Sequence, residues 1–235
     1  MIAAGHGWGL AVFPLAASAV AFVFAGVLGR RFARKRRASE GAWTAALLMY
    51  AVGSLAMFLG VVRGWTIGDY RTYWLFGAVL NVPYLFLGEV YLLTRWRAVG
   101  HGLALVLVAL SAFAAVSVWS ARLHGAALGS ALPLGKDAFG HGATPYRLAQ
   151  YYALPAYFLL LGGLTWSAWR MKGRPDLKDR TAGTIWIALG ATVVAVGSGI
   201  GAGFHLVPLF SVSLAAGVTV MFAGFLVAGR PARPA

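Results

Sequence analysis

Apolar residues along the chain gather into seven stretches, separated by short polar or basic segments. Each stretch has roughly the 20 residues that an α-helix needs to cross the hydrocarbon core of a bilayer. The pattern therefore predicts an all-α membrane protein that forms a single domain over residues 1–235. The longest connection, residues 121–146, is predicted to be a loop outside the cell. Seven transmembrane helices are predicted at about residues 8–29, 42–63, 73–95, 100–120, 147–169, 182–204 and 206–228.

Basic residues set the direction of the predicted helices. Six of them lie in residues 30–37, directly after the first apolar stretch, and such a cluster holds its end of a helix in the cytoplasm. Of the 20 Lys and Arg residues, 15 fall in segments predicted to be cytoplasmic and 5 in segments predicted to be outside. We therefore expect the N-terminus outside, the C-terminus inside, and a multi-pass protein of the cell membrane.

Composition excludes the water-soluble classes of protein. Hydrophobic residues make up 60% of the chain and charged residues 11%, which leaves too little polar surface to cover a soluble core. A net charge of +14 would suggest nucleic-acid binding in a soluble protein, but here the charges lie at predicted membrane borders. The predicted partners are the lipid bilayer and anionic lipid headgroups on its cytoplasmic face, with no nucleic acid. The oligomeric state, a homo-oligomer included, stays open.

Small residues recur along the sixth and seventh predicted helices. Glycines stand seven residues apart in the sixth helix, and a similar stripe follows in the seventh. In a membrane, small residues let two helix backbones approach closely, so we expect the two stripes to pack against each other. The predicted packing residues are Gly183, Gly190, Gly197 and Gly201 in the sixth helix and Ser213, Gly217 and Gly224 in the seventh.

A short repeat links two of the predicted helices. The tetrapeptide Ala-Val-Gly-Ser occurs at residues 51–54 in the second helix and again at residues 195–198 in the sixth. This placement fits two parallel three-helix units joined by a fourth helix. All four residue types are abundant in this chain, so a chance match also explains the repeat.

Glu89 is the one acidic residue inside a predicted span. A carboxylate facing lipid is costly, so its side chain is expected to face the bundle interior, a water-filled cavity or the inner interface. One interpretation is a proton or cation relay. The other is a snorkelling or hydrogen-bonded residue near the cytoplasmic border, about two turns from Arg95. Asn81, in the same predicted helix, is interpreted as an interhelical hydrogen-bonding residue.

Polar and aromatic residues gather where the second and third predicted helices reach the outside. The polar members are Arg63, Asp69 and Arg71, and the aromatic residues between them are Trp65, Tyr70, Tyr73 and Trp74. We interpret this group as an interfacial aromatic belt with an ion pair at its rim, and a ligand-binding vestibule is the alternative. Four further residues would complete a polar outer pocket if they converge on it, namely Gln150, Tyr151, Tyr152 and His205.

The sequence offers little for catalysis or for a cofactor. Cysteine is absent, which removes disulfides, thiolate metal sites and c-type haem attachment. His141 is the one histidine at helical spacing from an acid, Asp137, but the pair lies in a Gly-rich loop, so no metal site is predicted. Nucleophile-elbow, phosphate-loop, dinucleotide and zinc-protease motifs do not occur. No cofactor is predicted, and an enzymatic activity is disfavoured.

Two resemblances to known families stand beside this interpretation. Seven helices with this orientation, and the segment RTYWLF at residues 71–76, resemble the microbial rhodopsins. That family binds retinal through a lysine in its seventh helix, whereas residues 206–228 contain none, so a retinal protein is not expected. The segments WLFGAVLNVP at residues 74–83 and MFAGFLVA at residues 221–228 resemble an uncharacterised family of integral membrane proteins from high-GC Gram-positive bacteria. That resemblance implies no activity.

Two functional hypotheses from different classes stay open. The first is a small-solute or ion transporter or channel, in which Glu89 is the intramembrane acid. The second is a non-transporting seven-helix sensor or membrane assembly partner. A membrane-embedded enzyme ranks third, because no catalytic cluster is present in the sequence.

Overall fold

The computed structural model describes residues 4–204 and 206–230, and in these ranges the chain forms helices and connecting turns without a β-strand. The predicted all-α fold is therefore confirmed. The described chain contains seven long helices, which are α1 (Ala4–Lys35), α2 (Ala38–Arg63), α3 (Ile67–Leu93), α4 (Arg97–Ser120), α5 (residues 144–171), α6 (Lys178–Gly203) and α7 (Val207–Ala228).

Six of these helices, all except α5, are long and apolar enough to cross a membrane. This confirms a polytopic membrane protein. The segment predicted as the fifth span, residues 147–169, lies within α5, but polar residues such as Arg147 and Gln150 lower the hydropathy of its first turns. The third helix begins earlier than predicted, at Ile67, because the Thr66 side chain accepts a hydrogen bond from the Asp69 N–H and starts the helix there.

The basic run of residues 30–37 is largely helical. α1 continues to Lys35 and α2 begins at Ala38, so Arg36 and Arg37 alone make the connection. Arg36 has a φ of 51°, a left-handed conformation that is uncommon for a residue other than glycine. This single residue helps to reverse the chain between two helices that pack against each other along their length.

Six helices form a ring in the order α1, α2, α3, α5, α6 and α7, and α7 packs back against α1. α4 lies outside the ring and contacts α3 and α5. Successive helices are antiparallel, so the bundle has two distinct ends. The basic end carries the α1–α2, α3–α4 and α5–α6 connections, whereas the loop end carries the α2–α3 turn, residues 121–143 and the α6–α7 turn.

α6 and α7 form a tight hairpin along the predicted stripes of small residues. A Cβ atom added at Gly190 would lie 2.5 Å from the Gly217 carbonyl oxygen, so the two backbones are in direct contact at this point. Such close approach is what small residues allow in helix pairs. Three further pairs repeat the contact along the hairpin, namely Gly183 with Gly224, Gly197 with Ser213, and Gly201 with Phe210.

Candidate functional site

A cavity of about 410 Å³ lies inside the ring, between α2, α3, α5, α6 and α7. Its lining runs from Tyr73 to Leu85 on α3 and from Phe210 to Met221 on α7, which places it around the middle of the bundle and extending toward the loop end. Most of the described residues that line it are apolar, and none of these carries a charge. A volume of this size falls within the roughly 300–1,000 Å³ typical of small-molecule sites.

Two π-helical segments line this cavity from neighbouring helices of the ring. They are Tyr73–Leu80 in α3 and Ala149–Ala153 in α5. Pro83 and Pro155 follow these segments, and a proline leaves the carbonyl four residues before it without its helical partner. Those carbonyls belong to Val79 and Tyr151, which lie inside the π-helical segments. π-helical turns are rare and occur frequently at functional sites, so their presence on two walls of one cavity singles it out.

The cavity is open on one side, between α5 and α6. Gln150 and Leu154 on α5 and Gly199 on α6 all line it and are all exposed, with Leu154 at 56% of its full accessible surface. The neighbouring exposed residues, Phe158 on α5 and Val196 on α6, are apolar. The opening is therefore bordered mainly by apolar side chains.

An aromatic cluster closes the bundle at the loop end, where residues 131–145 cover it. Trp65, Tyr70, Tyr73 and Trp74 are each more than nine-tenths buried, and their rings pack against one another in edge-on, tilted and stacked arrangements. The Trp74 indole N–H donates to the Pro145 carbonyl at 2.9 Å, and the Trp65 indole N–H donates to the Ala131 carbonyl at 3.2 Å. These residues therefore face inward and do not form the interfacial belt that the sequence suggested.

The charged residues near this end stabilise the α2–α3 turn and the long loop. Arg63 and Asp69 form a salt bridge of 2.9 Å, and the Thr66 hydroxyl donates to the same carboxylate at 2.6 Å. The Arg71 guanidinium donates to the Ala121 carbonyl at 2.9 Å and ties the long loop to α3. None of these residues lines the cavity, so they stabilise the turn and the loop that close it.

The residues proposed for a polar outer pocket do not converge in the described part of the chain. Gln150 lines the cavity, whereas Tyr151 is 71% exposed and Tyr152 packs against the hydrophobic core. His205 lies outside the described residues. The cavity therefore includes Gln150 from the predicted outer pocket, together with Tyr73, Trp74 and Asn81, but not the other predicted pocket residues that the structure describes.

Glu89 is buried between α3 and α5, with only 1% of its surface exposed. The Ser167 hydroxyl donates to Oε1 at 3.3 Å, while Oε2 has no hydrogen-bond partner among the described residues. Gly163 on α5 makes room for the side chain, since a Cβ atom there would lie 3.0 Å from the Glu89 Cγ. The carboxyl group faces the bundle interior, one turn beyond the last α3 residue of the cavity lining, and forms no salt bridge with Arg95.

Asn81 lines the cavity but does not join two helices. Its side-chain amide donates to the Gly77 carbonyl of its own helix at 3.1 Å. The prediction that Asn81 makes an interhelical hydrogen bond is therefore wrong. A carbonyl within the π-helical segment accepts the hydrogen bond from the amide instead, because π-helical geometry disturbs the regular backbone hydrogen bonds there.

Several hydroxyl-bearing residues of the cavity were missed by sequence reasoning, Ser54, Tyr50 and Tyr157 among them. Tyr50 donates to the Leu214 carbonyl at 2.9 Å and so joins α2 to α7 across the ring. A sequence signal that joins two walls of this site is the repeated tetrapeptide. Four of its residues line the cavity, namely Gly53 and Ser54 from α2 and Ala195 and Ser198 from α6.

Comparisons with known proteins return no match. This holds for the protein-family models, for the curated proteins and for the solved structures. The function must therefore be inferred from the geometry of the cavity and of its surroundings.

Proposed function

We propose that all seven long helices span the cell membrane, with the N-terminus outside and the C-terminus in the cytoplasm. α5 supports the seventh crossing, because it runs from the loop end to the basic end within the ring. The concentration of Lys and Arg at the basic end supports the orientation, and these charges would meet anionic lipid headgroups.

A reporter fusion tests this topology. Met1 and Ala235 lie outside the described residues, so the fusion is made after Ala235 and, as a control, within residues 125–129 of the long loop. We expect a reporter that works only in the cytoplasm to be active at the C-terminus and inactive in the loop. The reverse pattern would overturn the orientation.

We propose that the protein binds a small, uncharged, mainly apolar molecule in the cavity between α2, α3, α5, α6 and α7. The observation that carries this function is the cavity itself, which is mainly apolar and is lined by two π-helical segments. Its opening between α5 and α6 supports entry from the lipid. Apolar cavities that exclude water bind apolar ligands readily, as engineered cavities in protein cores do.

The shape of the cavity favours a sensor over a channel. Its α3 lining ends at Leu85, before the buried Glu89, and the aromatic cluster with Trp74 covers the loop end. A molecule that enters between α5 and α6 therefore has one way in and the same way out. Because the ligand would lie against both π-helical segments, its binding would bias the packing of α3 and α5.

Photolabelling tests the binding function. Protein in lipid nanodiscs is irradiated with a diazirine-bearing medium-chain alkane, and the crosslinked peptides are identified by mass spectrometry. We expect saturable labelling of residues that line the cavity, such as Leu154 and Ala195. Labelling spread evenly over the exposed apolar faces, for example over α4, would contradict a binding site.

A proton-coupled carrier is the second candidate, and Glu89 is the observation that favours it. A buried carboxyl group with one oxygen lacking a partner is disfavoured as an anion by the loss of hydration. Such a group between two cavity-lining helices could take up and release a proton when α3 and α5 rearrange.

Glu89→Gln separates the two candidates. The amide keeps the oxygen that accepts from Ser167 and the shape of the side chain but cannot titrate, so we expect an unchanged thermal unfolding midpoint. A pH-sensitive dye trapped in proteoliposomes then reports proton flux. Flux with the wild type that is lost in the variant would establish the carrier. Equal rates of proton flux in wild-type, variant and protein-free vesicles would contradict the carrier and favour the sensor.

A further inference from the structure

Two hydroxyl groups open into the cavity without a partner. Ser54 on α2 and Tyr73 on α3 are 4% and 8% exposed, and both line the cavity. Neither hydroxyl has a hydrogen-bond partner among the described residues, and neither oxygen is among the buried side-chain atoms that protein closes off completely. The small exposed part of each residue therefore faces the cavity.

The two hydroxyls belong to the same wall. Gly53 and Gly77 bring α2 and α3 into backbone contact, since a Cβ atom at Gly53 would lie 2.8 Å from the Gly77 nitrogen. Ser54 follows Gly53 directly, and Tyr73 precedes Gly77 by one turn. The wall formed by α2 and α3 thus presents two O–H groups to the cavity.

Other hydroxyls around the cavity are already satisfied. Tyr50 donates to the Leu214 carbonyl, Tyr157 donates to the Thr192 hydroxyl, and Ser198 donates to the Ala195 carbonyl. Hydroxyls in protein interiors are normally hydrogen-bonded in this way, so two that open into one apolar cavity without a partner point to a missing acceptor. Asn81 Oδ1 also lacks a partner, but this oxygen is closed off by protein and does not open into the cavity.

Among the described residues, the remaining walls are mainly apolar. Leu160 on α5, Val194 on α6 and Leu214 on α7 present apolar surface to the cavity, and the polar side chains there are Tyr157, Ser198 and, at the opening, Gln150. The cavity therefore has two open hydroxyls at α2 and α3 and a mainly apolar surface opposite. No charged side chain of the described residues lines it, so a charged ligand would lose its hydration without gaining a counter-ion from them.

We infer that the ligand is a neutral amphiphile with a carbonyl oxygen that accepts hydrogen bonds from Ser54 and Tyr73 and an apolar chain that lies against α5, α6 and α7. A carbonyl oxygen has two lone pairs and so can accept from both hydroxyls. This inference rests on the proposed binding function, because it assigns the chemical class of the molecule that the cavity takes.

Competition against the photoreactive alkane tests the inference. Wild-type protein in nanodiscs is compared with the double variant Ser54→Ala, Tyr73→Phe, and Tyr84→Phe serves as a control because its hydroxyl pairs with Ser111 away from the cavity. The competitors are 2-undecanone and n-undecane, applied at equal mole fractions in the membrane. The thermal unfolding midpoints of all three proteins establish that they are folded.

We expect 2-undecanone to compete about tenfold better than n-undecane in the wild type, the difference that one good hydrogen bond makes. The double variant should lose this preference, and Tyr84→Phe should keep it. Equal competition by the two compounds in the wild type would overturn the carbonyl inference while leaving the cavity as a binding site. Absence of saturable labelling in the wild type would remove the binding function, and the inference would fall with it.

Discussion

Gly190→Leu will sharply lower the thermal unfolding midpoint of the protein. A Cβ atom at this position already meets the Gly217 carbonyl oxygen and the Met221 nitrogen, at 2.5 and 2.7 Å. A leucine side chain must therefore push α6 away from α7 and break contacts along the hairpin. We expect a loss at the upper end of the ~1–3 kcal/mol that overpacking costs, or roughly 6–12 °C for a chain of this size.

Unfolding in detergent, followed by tryptophan fluorescence, measures this loss. Gly102→Leu is the matched control, because a Cβ atom at Gly102 on α4 has nothing within 4 Å. The control should unfold at the wild-type temperature. If Gly190→Leu also unfolds at that temperature, the contact between the two backbones is not part of the folded protein.

Ala195→Trp will abolish labelling of the cavity. Ala195 lines it from α6, so an indole ring at this position takes up space that the ligand would occupy. The cavity offers room for the ring, and the variant is therefore expected to fold, unlike a substitution into a close-packed core. We expect at least a tenfold loss of labelling at the lining residues, because the ring and the ligand exclude each other.

Leu189→Trp controls for the added indole ring. Leu189 lies on the same helix, nearer the basic end, where it is exposed and neither lines the cavity nor borders its opening. This variant should be labelled as strongly as the wild type. Equal loss of labelling in both variants would show that the effect comes from α6 as a whole and not from occupation of the cavity.

Much of the fold follows from patterns that act locally along the chain. The apolar stretches predict helices because a spanning helix must satisfy its backbone internally and bury apolar side chains in lipid. The glycine period of the sixth helix also predicts where α7 lies, because the two backbones can come together only where both helices carry small residues such as Gly190 and Gly217. The clustering of basic residues beyond α1 separates the two ends of the bundle.

The order of the helices around the ring cannot be predicted from such local patterns. α4 is as apolar as its neighbours, yet it lies outside the ring, because the identity of its partners depends on contacts between residues distant in sequence. The inward position of Trp74 escapes prediction for a related reason. An aromatic residue near a membrane border has the same local sequence whether it faces headgroups or, as in this protein, lies under a folded loop.

The cavity was the feature least accessible to sequence reasoning. Pro83 and Pro155 are visible in the sequence, but a proline alone does not tell whether the carbonyl it frees is satisfied by a kink, a π-helical turn or a neighbour. Ser54 and Gln150 become part of one site only because five helices meet around them. Glu89, by contrast, stands out in the sequence, and its burial against α5 depends on the small size of Gly163.

The stoichiometry of ligand binding tests the central proposal most directly. Radiolabelled 2-undecanone is titrated into nanodiscs that contain wild-type protein, Ala195→Trp or lipid alone, and the uptake above that of lipid alone is measured. If the cavity is a binding site, the wild type binds one molecule per chain with saturation, and Ala195→Trp shows no excess over lipid. Excess uptake that does not saturate, or that is the same in both proteins, would contradict a ligand-binding cavity.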